Sequence, residues 1–258
     1  MPINSIAYTP PEDGLLRPSG DLLDILLHPQ EQTVRERRGN HLREYMETLE
    51  TTGFSSFQKD VLIGTLLGDG TLAQIKPSFT PFFKYDQGRM NSTLFPHLDN
   101  VVDANTVHLV YSIFEPFVGT PPRLRTLNGK SHSMWFRTFS SRLLIHYANL
   151  FYTRDGNGRR RKRVPPNIQQ LLNERSLAFW IADDGSNQGR GLTLHTEGFT
   201  ESDVTLLEET LVRTWGFSAR KHKAGEAFKL FLPNSDMPRV REIVAPHTPP
   251  IKRYKLLA

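Results

Sequence analysis

Leu62 to Gly70 reads LIGTLLGDG, and Leu177 to Gly185 reads LAFWIADDG. Each is an apolar run closed by an acid and a glycine. Both begin with Leu and carry Asp at the eighth place and Gly at the ninth. Ser55 or Ser56 stands ahead of the first run as a helix cap, so the motif predicts a helix from Phe57 to Gly68. Gly70 then suits a helix C-terminal turn. Gly64 and Gly68 lie four apart on one helical face. Glycine costs helix stability, so the pair predicts close backbone approach to another helix. Counted from Asp69 to Asp184 the copies are 115 residues apart, which leaves room for a compact half-domain behind each. A repeat at that distance predicts a duplicated fold. If the two motif helices pack side by side, Asp69 and Asp184 meet at their ends. Paired carboxylates at a seam suit a metal-dependent phosphodiesterase. Either motif alone has a plainer reading, because Asp-Gly is ordinary turn chemistry; the recurrence argues against it.

Working outward, the two halves repeat one order of elements. After the first motif, Phe79 to Tyr85 reads as a strand, with Pro81 arguing for an edge or bulge. Thr106 to Phe117 reads as a helix. Arg123 to Leu127 and Ser133 to Phe139 form a hairpin turning at Asn128-Gly129, and Ser140 or Ser141 starts a helix through Leu150. After the second motif come a strand over Gly191 to Thr196 and a helix capped by Thr200 and running to Trp215. A hairpin of Phe217 to His222 with Ala227 to Leu232 follows, and then a helix over Asn234 to Val244. Each half is read as helix, two strands, helix, two strands, helix, with one strand of each first pair delimited. The stretch between Asp86 and Asn105 has no counterpart and reads as an insertion. Residues 1 to about 30, with an apolar patch at Leu22 to Leu27, read as a loose or docked extension, and Glu31 to Glu50 as an exposed helix. The resulting domains are an extension (1–56), a first half with linker (57–166) and a second half (167–258).

Composition narrows the function. Hydrophobic residues are 38% and charged residues 23% of the 258, as in a globular chain with ample core. The formal charge of +5 favours a polyanionic partner such as nucleic acid. The chain has no cysteine, which excludes disulfides, zinc ribbons, thiol nucleophiles and iron–sulfur sites. No apolar run approaches the length needed to cross a bilayer. The first twenty residues show no secretory pattern and, with one arginine and two acids, make a poor mitochondrial presequence.

LIGTLLGDG and LAFWIADDG resemble the two motifs of a single-chain LAGLIDADG homing endonuclease. Leu62, Gly64, Asp69 and Gly70 match that pattern in the first copy. Leu177, Ala178, Ile181, Asp184 and Gly185 match it in the second. ANLF (148–151), KRVPPN (162–167) and LHTEGFT (194–200) are similar to a yeast mitochondrial member of the family. The resemblance runs from about Phe57 to the C-terminus. Family helices carry small residues at motif positions three and seven. The first copy has Gly64 and Gly68 there; the second has Phe179 and Asp183, with its small residues at Ala178 and Ala182, which breaks the expected symmetry of the seam.

The resemblance implies an α+β fold of two pseudo-symmetric αββαββα half-domains forming a β-saddle on DNA. It implies hydrolysis of both strands of a long, non-palindromic double-stranded DNA target with Mg²⁺, leaving 3′ overhangs, by a monomer of organellar origin, mitochondrial rather than chloroplast. Asp69 and Asp184 would be the metal ligands, with the carbonyls of Gly68 and Asp183. For the Asp183 side chain a helix-end or turn hydrogen bond is the favoured reading. Lys162 and Lys255 occupy similar places near the end of each half and would reach the scissile phosphates, where an ammonium screens developing charge. RRRKR at Arg159 to Arg163 reads equally as a solvated basic linker. Lys84, Arg123, Arg125, Arg137, Arg190, Thr193, His195, Arg220, His222 and Lys229 alternate along the strands. They would form a basic face able to lie in a major groove. A zinc reading of His195 with Asp184 is discounted, because the nine histidines show no metal spacing. Two rivals remain. One is an intron maturase of the same fold that binds RNA. The other is a related transcription factor, which would need a helix-turn-helix unit not evident in residues 1–56.

Overall fold

The computed structural model describes residues 42–75, 79–88, 104–127, 130–187 and 189–257. Residues 1–41, which carry the expected extension and the first part of the expected Glu31–Glu50 helix, most of the insertion after Asp86 and the Asn128-Gly129 turn lie outside them.

The first half is α2 (Ser56–Leu67), β1 (Thr71–Ala73), β2 (Phe82–Gln87), α3 (Ala104–Phe114), β3 (Val118–Leu127), β4 (Lys130–Thr138) and α4 (Leu143–Phe151), preceded by α1 (Leu42–Thr52). A small hairpin, β5 (Tyr152–Arg154) with β6 (Arg160–Lys162), and the short α5 (Ile168–Leu171) lead to the second half. That half is α6 (Glu174–Asp184), β7 (Gly185–Asn187), β8 (Gly191–Leu194), α7 (Glu201–Trp215), β9 (Arg220–Ala224), β10 (Ala227–Pro233) and α8 (Met237–Val244), closed by a 3₁₀ turn at Pro250–Leu256. The two four-stranded sheets are antiparallel and identically permuted: β1-β2-β4-β3 and β7-β8-β10-β9. The αββαββα repeat expected from the motifs is the observed architecture.

Both motif helices start on capping boxes, which satisfy amide groups that the first turn leaves without helical partners. In α2, Ser55 Oγ accepts from the Gln58 amide at 3.1 Å while Gln58 Oε1 accepts from the Ser55 amide at 3.0 Å. In α6, Asn173 and Ser176 play the same parts. Thr200 caps α7 with Asp203, and Gly216, at φ +69°, ends it in the left-handed conformation that a side chain disfavours. The glycines that follow the motif acids act differently. Neither Gly70 nor Gly185 has a positive φ. A β-carbon on Gly70 would sit 2.8 Å from the Thr65 carbonyl oxygen, and one on Gly185 2.5 Å from that of Ile181. The chain leaves each helix so closely that only glycine fits.

The core runs through both halves without a break. Phe83, Tyr85, Phe114 and Phe136 fill the first half, and Leu192, Leu194, Leu230 and Leu232 with Val204, Leu207 and Leu211 fill the second. Helix α1, the described part of the expected Glu31–Glu50 helix, is mostly exposed but docks one face on the core. Tyr45 and Leu49 are buried, and Tyr45 Oη donates to the Pro116 carbonyl at 2.8 Å. Glu50 accepts from the Arg142 amide and Nε, both at 2.7 Å, at the start of α4. Among the described residues no helix is long and apolar enough to cross a membrane.

Candidate active site and nucleic-acid interface

The seam between α2 and α6 brings the motif acids together. A β-carbon on Gly64 would clash with the Ser176 carbonyl oxygen and lie 2.9 Å from the Phe179 β-carbon; one on Gly68 would lie 2.5 Å from that of Asp183. Positions three and seven therefore face each other after all. The second copy places Phe179 and Asp183 there, not Ala178 and Ala182, and the first copy's glycines make the room. The asymmetry is complementary packing of large against absent side chains.

Asp69 and Asp184 close their helices on either side of this seam, near enough that the charge of Asp69 bears on the Asp184 carboxyl. Removal from water drives the Asp184 carboxyl up to about 7, and Asp69 adds to it, while Lys162 and Lys255 pull the other way. Asp69 is raised by the same loss of hydration, opposed by a hydrogen bond from Gln87 and by the charges of Lys252, Lys162 and Lys255. One unit of such a shift is about 1.4 kcal/mol between protonation states.

The two lysines occupy matching positions. Lys162 Nζ donates to the carbonyls of Gly68 (2.7 Å) and Gly70 (3.0 Å); Lys255 Nζ donates to those of Ala182 (2.7 Å) and Asp183 (2.9 Å). Burial brings each ammonium down to about 8; neighbouring acids oppose this, and for Lys255 the charge of Lys252 adds to it. The basic run is more than a solvated linker, although Arg159 and Arg161 are exposed. Arg160 to Lys162 form strand β6, and the Arg160 guanidinium stacks 3.7 Å from the Tyr152 ring centre and bonds the Leu72 carbonyl. Tyr152 Oη accepts from the Leu72 amide at 2.9 Å. The hairpin is thus bolted to β1, which fixes Lys162 at the seam. Lys255 arrives on the Pro250–Leu256 turn, with Lys252 buried beside it.

The Asp183 side chain does not cap its own helix, as local chemistry predicted. It crosses the seam. Its Oδ2 accepts from the Asp69 amide at 3.2 Å, and its Oδ1 accepts from Tyr85 Oη at 2.6 Å and Gln87 Nε2 at 3.3 Å. Gln87 Nε2 also donates to Asp69 Oδ2 at 2.7 Å. Burial and the nearby acids hold Asp183 well above the ordinary carboxyl range. Tyr85, Gln87 and Lys252 are site residues that the motif reading missed. The signal available for Gln87 was parity: it shares the apolar face of β2 with Phe83 and Tyr85, where a polar side chain needs a partner.

Hard oxygen donors converge here: the carboxylates of Asp69 and Asp184 and the carbonyls of Gly68 and Asp183. They suit an Mg²⁺-like ion, which keeps several waters and draws further oxygens from substrate. Among the described residues no group of three or more His, Asp or Glu stands ready to hold a metal. His195 shares a 2.9 Å hydrogen bond with Ser186 through Nε2 instead.

The ten strand residues expected on a basic face fall on one side of the sheets, apart from Arg190, which is exposed in the β7–β8 connection. Strand pairing sets Lys84 opposite Arg137, with Arg123 and Arg125 sharing their parity on β3. In the second sheet Thr193 pairs with Phe231 and that with Arg220, while Lys229 pairs with His222. His195 follows on the same face. The opposite faces carry the core. Two acids already hold several of these side chains: Asp86 bonds Lys84 (2.7 Å) and Arg125 (3.1 Å), and Glu197 bonds Lys229 (2.9 Å) and His195 (3.4 Å).

Comparison with known proteins agrees with this arrangement. The sequence profile of the LAGLIDADG DNA endonuclease family matches residues 59–240. A probable intron-encoded DNA endonuclease 3 of Mycosarcoma maydis is 34% identical over 133 residues, covering 50% of this chain and 97% of that one. The cytochrome b mRNA maturase bI2 of Debaryomyces hansenii is 28% identical over 207 residues, 76% of this chain and 72% of that one. The homing endonuclease I-WcaI, solved bound to its DNA recognition sequence, superposes with a TM-score of 0.69 at 23% identity, over 92% of this chain and 96% of that one.

Proposed function

We propose that this chain, which belongs to the LAGLIDADG DNA endonuclease family, is a site-specific homing endonuclease that hydrolyses both strands of a long, non-palindromic DNA target and leaves 3′ overhangs. The observation that carries the reading is the seam: Asp69 and Asp184 converge at the ends of two packed helices, each beside a buried lysine, and the basic sheet faces flank them. Asp69, Asp184 and the Gly68 and Asp183 carbonyls would hold divalent cations, Mg²⁺ in this reading. Such an ion, when bound, polarises a scissile phosphate and lowers the pKa of an attacking water. Lys162 and Lys255 hold buried positive charge where charge develops on phosphorus. Asymmetric halves in one chain fit a monomer on a non-palindromic site. Likeness to a cytochrome b mRNA maturase supports an organellar setting, which this reading takes as mitochondrial rather than chloroplast.

Selection of cleaved sites from a randomised duplex library with Mg²⁺ tests the reading. Asp69→Asn and Asp184→Asn should each abolish or severely reduce double-strand cleavage of the selected site while leaving gel-shift affinity nearly intact, because asparagine keeps the shape and loses the charge that holds a hard cation. Asp183→Asn should be milder. Full cleavage by either of the first two variants would remove the mechanism. A second reading, an intron maturase, is favoured by the relative just named; a splicing assay with intron RNA beside the cleavage assay separates the two.

A further inference from the structure

The two centres are wired differently. Thr71 and Ser186 each lie two residues after a motif acid, and they pair with Lys84 and Thr193 respectively. Lys84 and Thr193 are therefore equivalent, and so are Tyr85 and Leu194, and Gln87 and Thr196. In the first half, Tyr85 and Gln87 reach the seam: Tyr85 Oη donates to Asp183, and Gln87 Nε2 donates to Asp69 and, at 2.8 Å, to Tyr85 Oη. In the second half Leu194 lies in the core, and Thr196 is buried with its hydroxyl donated to the Phe228 carbonyl at 2.8 Å. The seam partner of Asp183 is Gly68, which has no side chain to reciprocate. Among the described residues the Asp184 carboxylate accepts no hydrogen bond. One acid is thus held by a network of three side chains from both halves, and the other is met through charge alone, attractive from Lys162 and Lys255 and repulsive from Asp69 and Glu197.

Resting on the nuclease reading above, we infer that Tyr85, Gln87 and Asp183 are positioning residues for one DNA strand: they fix Asp69 for catalysis, so that the strand served by Asp69 is cut first. A carboxylate held by a neutral amide and anchored through its own backbone N–H needs less reordering when substrate oxygens arrive. The Asp184 side lacks that support and lags. Asp183 acts through the Asp69 amide and Tyr85, not on phosphate.

The test uses a duplex selected by cleavage from a randomised library, each strand carrying a distinct end label, cut in single turnover with Mg²⁺. The unaltered chain should pass through a nicked intermediate broken always in the same strand. Tyr85→Phe, which keeps the buried ring, and Gln87→Leu should slow that strand about tenfold, the loss of one buried hydrogen bond, and leave the other near its original rate. Equal slowing of both strands, or no change, would overturn the inference. A library from which no cleaved duplex can be selected overturns the nuclease reading and this inference with it. A second readout needs no cleavage: in the metal-free protein, thermal unfolding of Tyr85→Phe, Asp183→Asn and the double variant should be non-additive. Additive losses would show that the pair is not coupled.

Discussion

Lys162 and Lys255 each bond the carbonyl that precedes a motif acid, so each is placed by main chain and not by a flexible ion pair. A contact realised as charge develops in the transition state acts on rate, whereas a phosphate anchor acts on affinity. Lys162→Ala and Lys255→Ala should therefore slow hydrolysis at saturating enzyme more than they weaken binding; unchanged rates would make both simple backbone anchors. The same crowding has a signature in the metal-free protein. Asp184 titrates near 7 in the fold against 3.8 for the free side chain, so between those values the folded state binds more protons and stability falls as pH rises. The lysines titrate near 8 in the fold against 10.5 free. Their cost is fully present below 8 and is relieved as pH climbs towards 10.5. The melting temperature should dip near pH 7 to 8 and recover on both sides. A divalent cation should fill the dip, since it binds the folded state and favours ionised carboxylates, and Asp184→Asn should make it shallower. A metal-free melting curve that rises steadily from pH 4 to 8 would contradict this account.

At the scale of elements, most of the architecture was legible because it is written locally. Ser55 and Thr200 cap the helices they were expected to cap, and the longer strands follow from alternation, whereas the three-residue β1 and β7 carry too few residues to show it. What could not be read locally is what one half does to the other. Phe179 and Asp183 looked like misfits at the seam until Gly64 and Gly68 were found opposite them. RRRKR reads as linker until Tyr152 and Leu72 are seen to hold Arg160. Gln87 is one polar residue in a strand, and its meaning comes from Asp69, 18 residues away in sequence, and from Asp183 beyond that. Two predictions test the packing. Gly64→Ala must push α6 away through the Ser176 carbonyl, an overpacking cost of about 1–3 kcal/mol, seen as a lowered melting temperature; no shift would mean the helices are not in contact there. Removing residues 1–30 should leave cleavage intact, whereas removing residues 1–54 also strips Tyr45, Leu49 and the Glu50 bonds to α4, and should destabilise the first half. Equal stability of the two truncations would deny α1 its place in the core.

Across the whole molecule the charge is distributed, not merely summed. A formal excess of +5 is modest for 258 residues, but the sheet faces gather Arg123, Arg125, Arg137, Lys84, Arg220, His222 and Lys229 on one side. Asp86 and Glu197 sit among them and partly neutralise each sheet. Polyanion binding must compete with these pairs, and their cations are already oriented by them. If the faces neutralise about six phosphates, the logarithm of affinity should fall against the logarithm of salt with a slope of about −5. Asp86→Asn leaves Lys84 and Arg125 without their shared partner. It should tighten binding to arbitrary duplexes at low salt and relax the preference for the selected target, because the freed side chains no longer hold one geometry. Glu197→Gln should do the same through Lys229 in the other half, and the two effects should add, since the acids lie in separate sheets. Fluorescence anisotropy over a salt series reads all of this. A flat salt dependence would deny that the sheets form the binding surface. A steep dependence unmoved by either variant would place the contacts elsewhere, on the exposed arginines of the β5–β6 hairpin.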